Sequence, residues 1–339
     1  MDLFNTERKN KIKLYVQKIF ITDDCNEIIP NWLRFIPGVV DSQDISLNIS
    51  REMLQNNPVI TKIKNGITTK ILNELASFAN DEKDSYLSFW KNFGAVIKEG
   101  LYEFNDHHDK ILPLLRFQSS ENDEYLSLDQ YLKKIDKKQN AIYYFANTDK
   151  LHIKNSPQLE IFLDKKIPVL FMIDAVDEFW LQNIGKYKDK EFKSITKGKV
   201  DLSNFESKKE KNSHKLNKSN NINNLINVLK KELEDKISNV VVSNRLTRSP
   251  ILLIADESGM DINMEKLMKI HNKTMPDNKK ILEINPNHPM IIKLSNSLTK
   301  INHKQLSSLL LDQANILDGN VLSNQTNYID SLTELFVKS

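Results

Sequence analysis

Apolar positions along this chain recur with two different periods, and the switches between them predict the order of elements. KLYVQKIFI (Lys13 to Ile21) is β-branched and aromatic with polar interruptions, which predicts a strand. Ile63, Ile67, Ile71 and Leu75 then recur every four residues. Asn57 can cap that helix and Pro58 suits its first turn. Trp90, Phe93 and Ile97 form a second amphipathic stripe. AIYYFA (Ala141 to Ala146) and PVLFMID (Pro168 to Asp174) are short unbroken apolar runs separated by a helical LEIFLDKK segment. Strand, helix, strand in that order predicts a parallel α/β unit. Further on, Ile222, Leu225, Ile226, Leu229, Leu233 and Ile237 keep the period of one helix, and NVVVS and ILLIADE read as strands. Two apolar helices close the chain. Leu306, Leu309, Leu310, Ala314 and Leu317 mark the first, Ile329, Leu332, Leu335 and Phe336 the second, and Gly319 stands between them as a helix stop.

Composition changes this picture in three places. The stretch from Ser203 to Asn221 carries one aromatic and, of the large aliphatics, only Leu216. It cannot bury enough surface to offset ordering, so a mobile linker is expected there. Its lysines are mixed with Glu and Asn and lack interleaved aromatics, which favours a solvated hinge over a nucleic-acid surface. The 339 residues suggest about two domains, and 48 Lys+Arg against 45 Asp+Glu leave a formal charge of +3. Glycine is scarce: there are 8, where average usage of about 7% would give roughly 24. No two are spaced for a glycine-rich phosphate loop, so this chain is expected to hold no such cradle.

The single cysteine, Cys25, forms no internal disulfide and no Cys-rich metal site, which fits a reducing compartment. His107 and His108 are adjacent but have no third ligand nearby in sequence, so a solvated turn is expected and no metal site. The start, MDLFNTERKNKIK, has no apolar signal region, and apolar runs such as Ala141 to Ala146 and Val169 to Ile173 are far too short for a bilayer. A soluble cytoplasmic chain without a membrane partner is expected. No Ser-His-Asp order and no paired carboxylates stand out, so periodicity alone does not reveal an enzyme.

One segment carries an identity. GVVDSQDISLNISREMLQ (Gly38 to Gln55) resembles the middle-domain signature of the ninety-kilodalton heat-shock chaperones, in their bacterial HtpG branch. KLYVQKIFI, FWKNFGAVIKEG, LLRFQSS, the IYY run, VVVSNRLTRSP, LEINPNH and LLLDQANIL occur in the family's order, so the resemblance spans essentially the whole chain. It implies an α/β (α+β overall) fold: layered α/β/α middle-domain segments, then a smaller α/β dimerisation domain ending in a helical hairpin. The expected divisions are a middle domain over 1–202 (subdomains 1–136 and 137–202), a charged linker over 203–221 and a C-terminal domain over 222–339. The family's N-terminal ATPase domain is expected to be absent, and the chain to begin inside the middle domain with an uncovered sheet edge.

The resemblance also implies roles. Arg51 would contact the γ-phosphate of ATP held by the ATPase domain, a task suited to its planar fork of donors. Gln55, one helical turn on, and Asn48 in the same loop would assist. Asp177, Glu178, Phe179 and Trp180 match an acidic-aromatic client patch. Met260, Met264, Leu267 and Met268 fall at helical spacing, and the family exposes such a stripe to unfolded clients, for which flexible thioethers are suited. Leu306, Leu309, Leu310, Leu317, Ile329, Leu332, Leu335 and Phe336 are expected to form a self-complementary four-helix dimer interface. The implied cofactor is ATP with Mg in the complete protein, and none bound by this chain alone. The implied partners are a second copy, unfolded clients and cochaperones of the DnaK system, with no nucleic acid. The rival reading is a nucleotide-independent holdase or dimeric scaffold without an ATPase partner.

Overall fold

A computed structural model describes residues 11–23, 25, 27–46, 54, 57–103, 106–205, 220–271, 278–322 and 324–338. They form an α/β fold of helices and small mixed sheets, divided into two compact units.

The first unit comprises Met1–Phe117, Glu124–Lys134 and Val176–Asp189. Its sheet has the order β2-β1-β3, from β1 (Lys11–Val16), β2 (Ile19–Thr22) and β3 (Pro37–Ser42), with β2 antiparallel and β3 parallel to β1. The single strand expected over Lys13 to Ile21 is therefore a hairpin. Gln17 and Lys18 turn it with φ of 51° and 67°, the left-handed pair that a two-residue turn requires. Neither is the Asn or Gly that usually announces such a turn. The third strand supplies the support instead: the Lys18 amide donates to Asp41 Oδ1 at 3.1 Å and the Gln17 amide to the Ser42 carbonyl at 3.0 Å.

Beyond the sheet run α1 (Pro58–Asp81) and α2 (Lys83–Tyr102), both as the periodicity predicts. Asn57 caps α1, its side chain accepting from the Val59 amide at 2.9 Å, and Pro58 occupies the first turn. On α2, a Cβ added at Gly100 would stand 2.7 Å from the Trp32 indole. Only glycine lets that buried ring pack directly on the helix backbone.

The second unit comprises Gln118–Asp123, Ile135–Ala175 and Lys190–Ser339. Within it β4 (Gln118–Ser119), β6 (Leu170–Met172), β5 (Ala141–Ala146) and β7 (Lys190–Ser194) lie side by side in that order. Strand β5 runs parallel to both β6 and β7, which is the parallel unit that the two apolar runs predict. Its intervening turn of chain includes α3 (Lys150–Asn155) and a short helix over Glu160–Asp164.

A second sheet of this unit orders β9 (Ile251–Ile254), β10 (Lys280–Ile284) and β8 (Ile237–Val242), with α4 (Asn220–Glu232), α5 (Ile262–His271) and α6 (Pro289–Asn296) between and beside them. The helix expected to continue to Ile237 stops at Glu232, and Ile237 opens β8. The 3.6 period survived across the break because Leu225, Leu229, Leu233 and Ile237 all project into one core, with Leu282, Leu306 and Leu310. The chain closes with α7 (His303–Leu317) and α8 (Gln325–Lys338). Gly319 adopts φ of +75°, the Gly319 amide donates to the Ile316 carbonyl, and the Asn320 amide to the Asn315 carbonyl. That pair of bonds is the glycine-dependent helix stop expected there.

Of the expected linker, 206–219 lies outside the described residues. The described chain on its two sides is tied together within the second unit. Arg245, 1% exposed, donates from Nη1 to the Ile195 carbonyl and from Nη2 to the Gly198 carbonyl, each at 2.6 Å. Its Nε lies 3.2 Å from Glu283, whose carboxylate also receives the Ser243 hydroxyl at 2.6 Å. Glu160 collects the amides of Thr247, Arg248 and Ser249 and the Ser249 hydroxyl. Burial alone would raise the Glu160 carboxyl. The converging donors outweigh burial and hold it below the usual carboxylate range. Substituting Arg245→Leu would leave Glu283 buried without its cation, so the unfolding free energy is expected to fall by about 3–5 kcal/mol, read from urea midpoints. A loss below about 1 kcal/mol would show that the guanidinium is not a structural centre.

Candidate functional site

The nucleotide-contacting candidates Asn48, Arg51 and Gln55 lie outside the described residues. Their neighbours are fixed points. Ser42 at the end of β3, Ile45 and Leu54 are buried, and Asn57 caps α1 immediately after. Among the described residues no group of His, Cys, Asp or Glu side chains could hold a metal ion, and no helix is long and apolar enough to cross a membrane.

The acidic-aromatic candidates occupy the short helix Asp177–Asn183 of the first unit. Three of the four are buried: Asp177, Glu178 and Trp180. Asp177 is held by Lys98 of α2, whose ammonium lies 2.9 Å from both carboxylate oxygens. It also receives the Trp180 indole N–H at 2.8 Å. The Lys98 ammonium sits 4.7 Å from the centre of the Phe117 ring and 6.0 Å from that of Trp90, so aromatic faces complete its shell. Phe179 is half-buried and meets the exposed Tyr102 edge-on, centroids 5.7 Å apart. Of the four candidates only Phe179 is partly exposed, beside Tyr102 of α2, and the tryptophan is not.

The methionine stripe maps onto α5 with one exception. Met260 precedes the helix, which begins at Ile262. Met264 is buried, while Met260, Leu267 and Met268 are half-buried. Ile270, outside the expected stripe, is the exposed one at 69%. Charged residues hold this helix. Before its first residue, Asp261 accepts from the Ser194 hydroxyl at 2.5 Å and the Thr196 hydroxyl at 2.7 Å. Glu265, buried, pairs with Lys269 and accepts the Asn278 amide at 3.3 Å. Lys266 reaches Asp318 at the end of α7.

The eight dimer candidates divide by environment. Leu306 and Leu310 belong to the core of their own chain, packed with α4, β9 and β10. Leu309 is buried, Leu317 and Leu332 are half-buried, and Ile329 is exposed at 58%. The Leu335 and Phe336 side chains lie outside the described residues. The hairpin also exposes Ile316, Val321 and Val337.

Sequence reasoning missed Lys98, the partner that decides what Asp177 does. A signal was present: Lys98 falls four residues after Gly94 and eight after Trp90, on the apolar face of α2. A lysine placed there implies a buried anion opposite. Replacing Lys98 by Met should cost about 3–5 kcal/mol of stability by stranding Asp177, and adding Asp177→Asn should recover part of it. Additive losses in a urea-denaturation cycle would refute the pairing.

Comparison with known proteins agrees with the motifs. The family model described as Hsp90 protein matches residues 1–339. The "Chaperone protein HtpG" of Roseobacter denitrificans is 43% identical over 338 residues, covering 98% of this chain and 54% of that relative. That of Orientia tsutsugamushi is 39% identical over 352 residues, covering 100% of this chain and 56% of the relative. That of Coxiella burnetii (strain RSA 493 / Nine Mile phase I) is 40% identical over 341 residues, covering 100% and 54%. The chain spans about half the length of the curated relatives it matches. With the match running from the first residue to the last, the chain belongs to the Hsp90 protein family.

Proposed function

We propose that this chain supplies the middle and C-terminal parts of an HtpG-type chaperone, with 1–202 as middle domain, 203–221 as linker and 222–339 as dimerisation domain. The observation that carries the reading is the family match over residues 1–339, together with relatives near 40% identity named as HtpG chaperones. The complete protein binds ATP with Mg, works as a cytoplasmic homodimer and handles unfolded clients, with cochaperones of the DnaK system as further partners. ATP supplies the phosphoryl chemistry. This chain's contribution to that step is Arg51, whose fixed charge and planar donors suit the γ-phosphate, with Gln55 and Asn48 beside it.

The surfaces offered to clients follow from exposure. On α5 they are Ile270 and the half-buried Leu267 and Met268, while Met264 anchors the helix. On the first unit the contribution is Phe179 with Tyr102. The charge pattern still argues against a nucleic-acid partner, since the net charge is only +3.

Two measurements test this. Added to a separately produced nucleotide-binding domain of an HtpG relative, the chain is expected to raise ATP turnover, and Arg51→Ala to abolish that rise without lowering the melting temperature. Equal stimulation by the variant would remove Arg51 from the reaction. Full client binding without any stimulation by the wild-type chain would favour the holdase reading. In a titration with a permanently unfolded protein, Ile270→Ser and Met268→Ser should weaken binding and leave the melt unchanged. Met264→Ser should instead lower stability by about 2–5 kcal/mol, as expected for truncating a buried apolar side chain.

A further inference from the structure

Asp318 closes α7 and is buried. Its carboxylate oxygen Oδ2 lies 3.1 Å from the Lys280 ammonium of β10 and 3.3 Å from the Lys266 ammonium of α5. Lys266 also donates to the Asp318 main-chain carbonyl, and the Asn320 side-chain amide donates to Oδ2 at 3.0 Å. The next residue, Gly319, starts the turn toward α8. A Cβ there would stand 3.1 Å from the His152 ring, so the imidazole of α3 packs against that turn. One carboxylate thus joins the helix that carries Met264 and Ile270, a central strand of the sheet, and the turn between the two terminal helices.

The geometry restricts how α5 can move. Its entrance is pinned separately, by Asp261 to the hydroxyls of Ser194 and Thr196. The freedom left is a swing about that end, and Lys266 is the first charged residue beyond the buried opening turn. Burial disfavours the Lys266 charge and lowers its pKa, Lys280 adds to the lowering, and Asp318 with Glu265 opposes it. Keeping both lysines on one oxygen limits how far α5, β10 and the Asp318–Asn320 turn can shift relative to one another. A displacement of the turn when Val321 and Ile329 meet a partner would therefore move or release Lys266. Conversely, a client seated on Ile270 would load the same contact.

We infer that Asp318 is a positioning residue that links client occupancy of α5 to association of the α7–α8 hairpin, an inference that rests on the proposed reading of both surfaces. The two equilibria are then reciprocal: self-association changes client affinity by the factor with which client binding changes self-association.

The test titrates reduced, carboxymethylated α-lactalbumin into the full chain at concentrations well below and well above its self-association midpoint. In the wild-type chain the two affinities should differ by about fivefold or more. Asp318→Asn should shrink the difference below about twofold, and Asp318→Glu should restore part of it. If Asp318→Asn melts early, Lys266→Met, which keeps the Asp318–Lys280 pair, should show the same loss. A wild-type chain that binds the probe and self-associates, yet has one affinity at both concentrations, overturns the link alone. So do folded variants that keep the wild-type difference. A chain that does not bind the probe, or stays monomeric, overturns the proposed function and the link with it.

Discussion

A guanidinium almost wholly removed from water depends on protein groups for its partners, and Arg245 draws them from three places in the second unit: two hydrogen-bond acceptors and one counter-charge. The two acceptors are main-chain carbonyls of residues 195 and 198, ahead of the expected linker, and the counter-charge is Glu283 on β10, after it, 3.2 Å from Nε. Carbonyls cannot be chosen by side-chain substitution. Their positions are set by the path of the backbone, so the arginine fixes that path. Glu160 does the converse, gathering three amides from the turn after β8 into one carboxylate. Isolated, each buried charge would be strongly destabilising. Paired with fixed backbone groups, they specify one register between the two sheets of the unit.

The first unit is organised by the same kind of constraint. Lys98 on α2 and Asp177 on the short helix carry charges that are both inaccessible to solvent, and the indole of Trp180 completes the bond set. Arg34 and Glu99 add a two-pronged pair one residue away on α2. Asp177, Glu178 and Trp180 are thereby committed inward, which leaves Phe179 as the partly exposed residue of the four. The Trp180 indole N–H, its only polar group, is spent on Asp177.

How much of this was legible in sequence depends on what carried each feature. Long helices were, because α1 and α2 combine apolar period with a capping Asn57 or a stripe through Trp90 and Ile97. The parallel unit was too, because β5 and β6 are unbroken apolar runs. The hairpin between β1 and β2 was not. Its left-handed residues are Gln17 and Lys18, and the hydrogen bonds that permit them come from β3, some twenty residues later. Nor was the end of α4, because Leu233 and Ile237 continue the helical spacing into a strand that faces the same core. At Arg51 the sequence offers a motif that lies outside the described residues, and at the other candidates it did not report the environment. Periodicity reports which face of a helix is apolar, and cannot report that Met264 is covered and Ile270 is not, since that depends on what packs beside α5.

A helix that offers apolar side chains to solvent cannot owe its place mainly to burying them, and α5 shows what replaces that burial. Its opening residues Ile262, Asn263, Met264 and Glu265 are buried, and polar contacts before, within and after them also hold the helix. Asp261 takes two hydroxyls, Glu265 takes Lys269 and a main-chain amide, and Lys266 takes Asp318. Such contacts are directional and satisfied within the chain, so covering Ile270 adds stability without being needed for the helix to stand. Ile270 is exposed with Leu267 and Met268 half-buried beside it in sequence, and exposed apolar side chains of this kind are ordinary on a protein surface. The polar pins permit this. They stabilise α5 against the core while leaving its apolar edge unspent, and they make its position depend on groups as distant in sequence as Ser194 and Asp318.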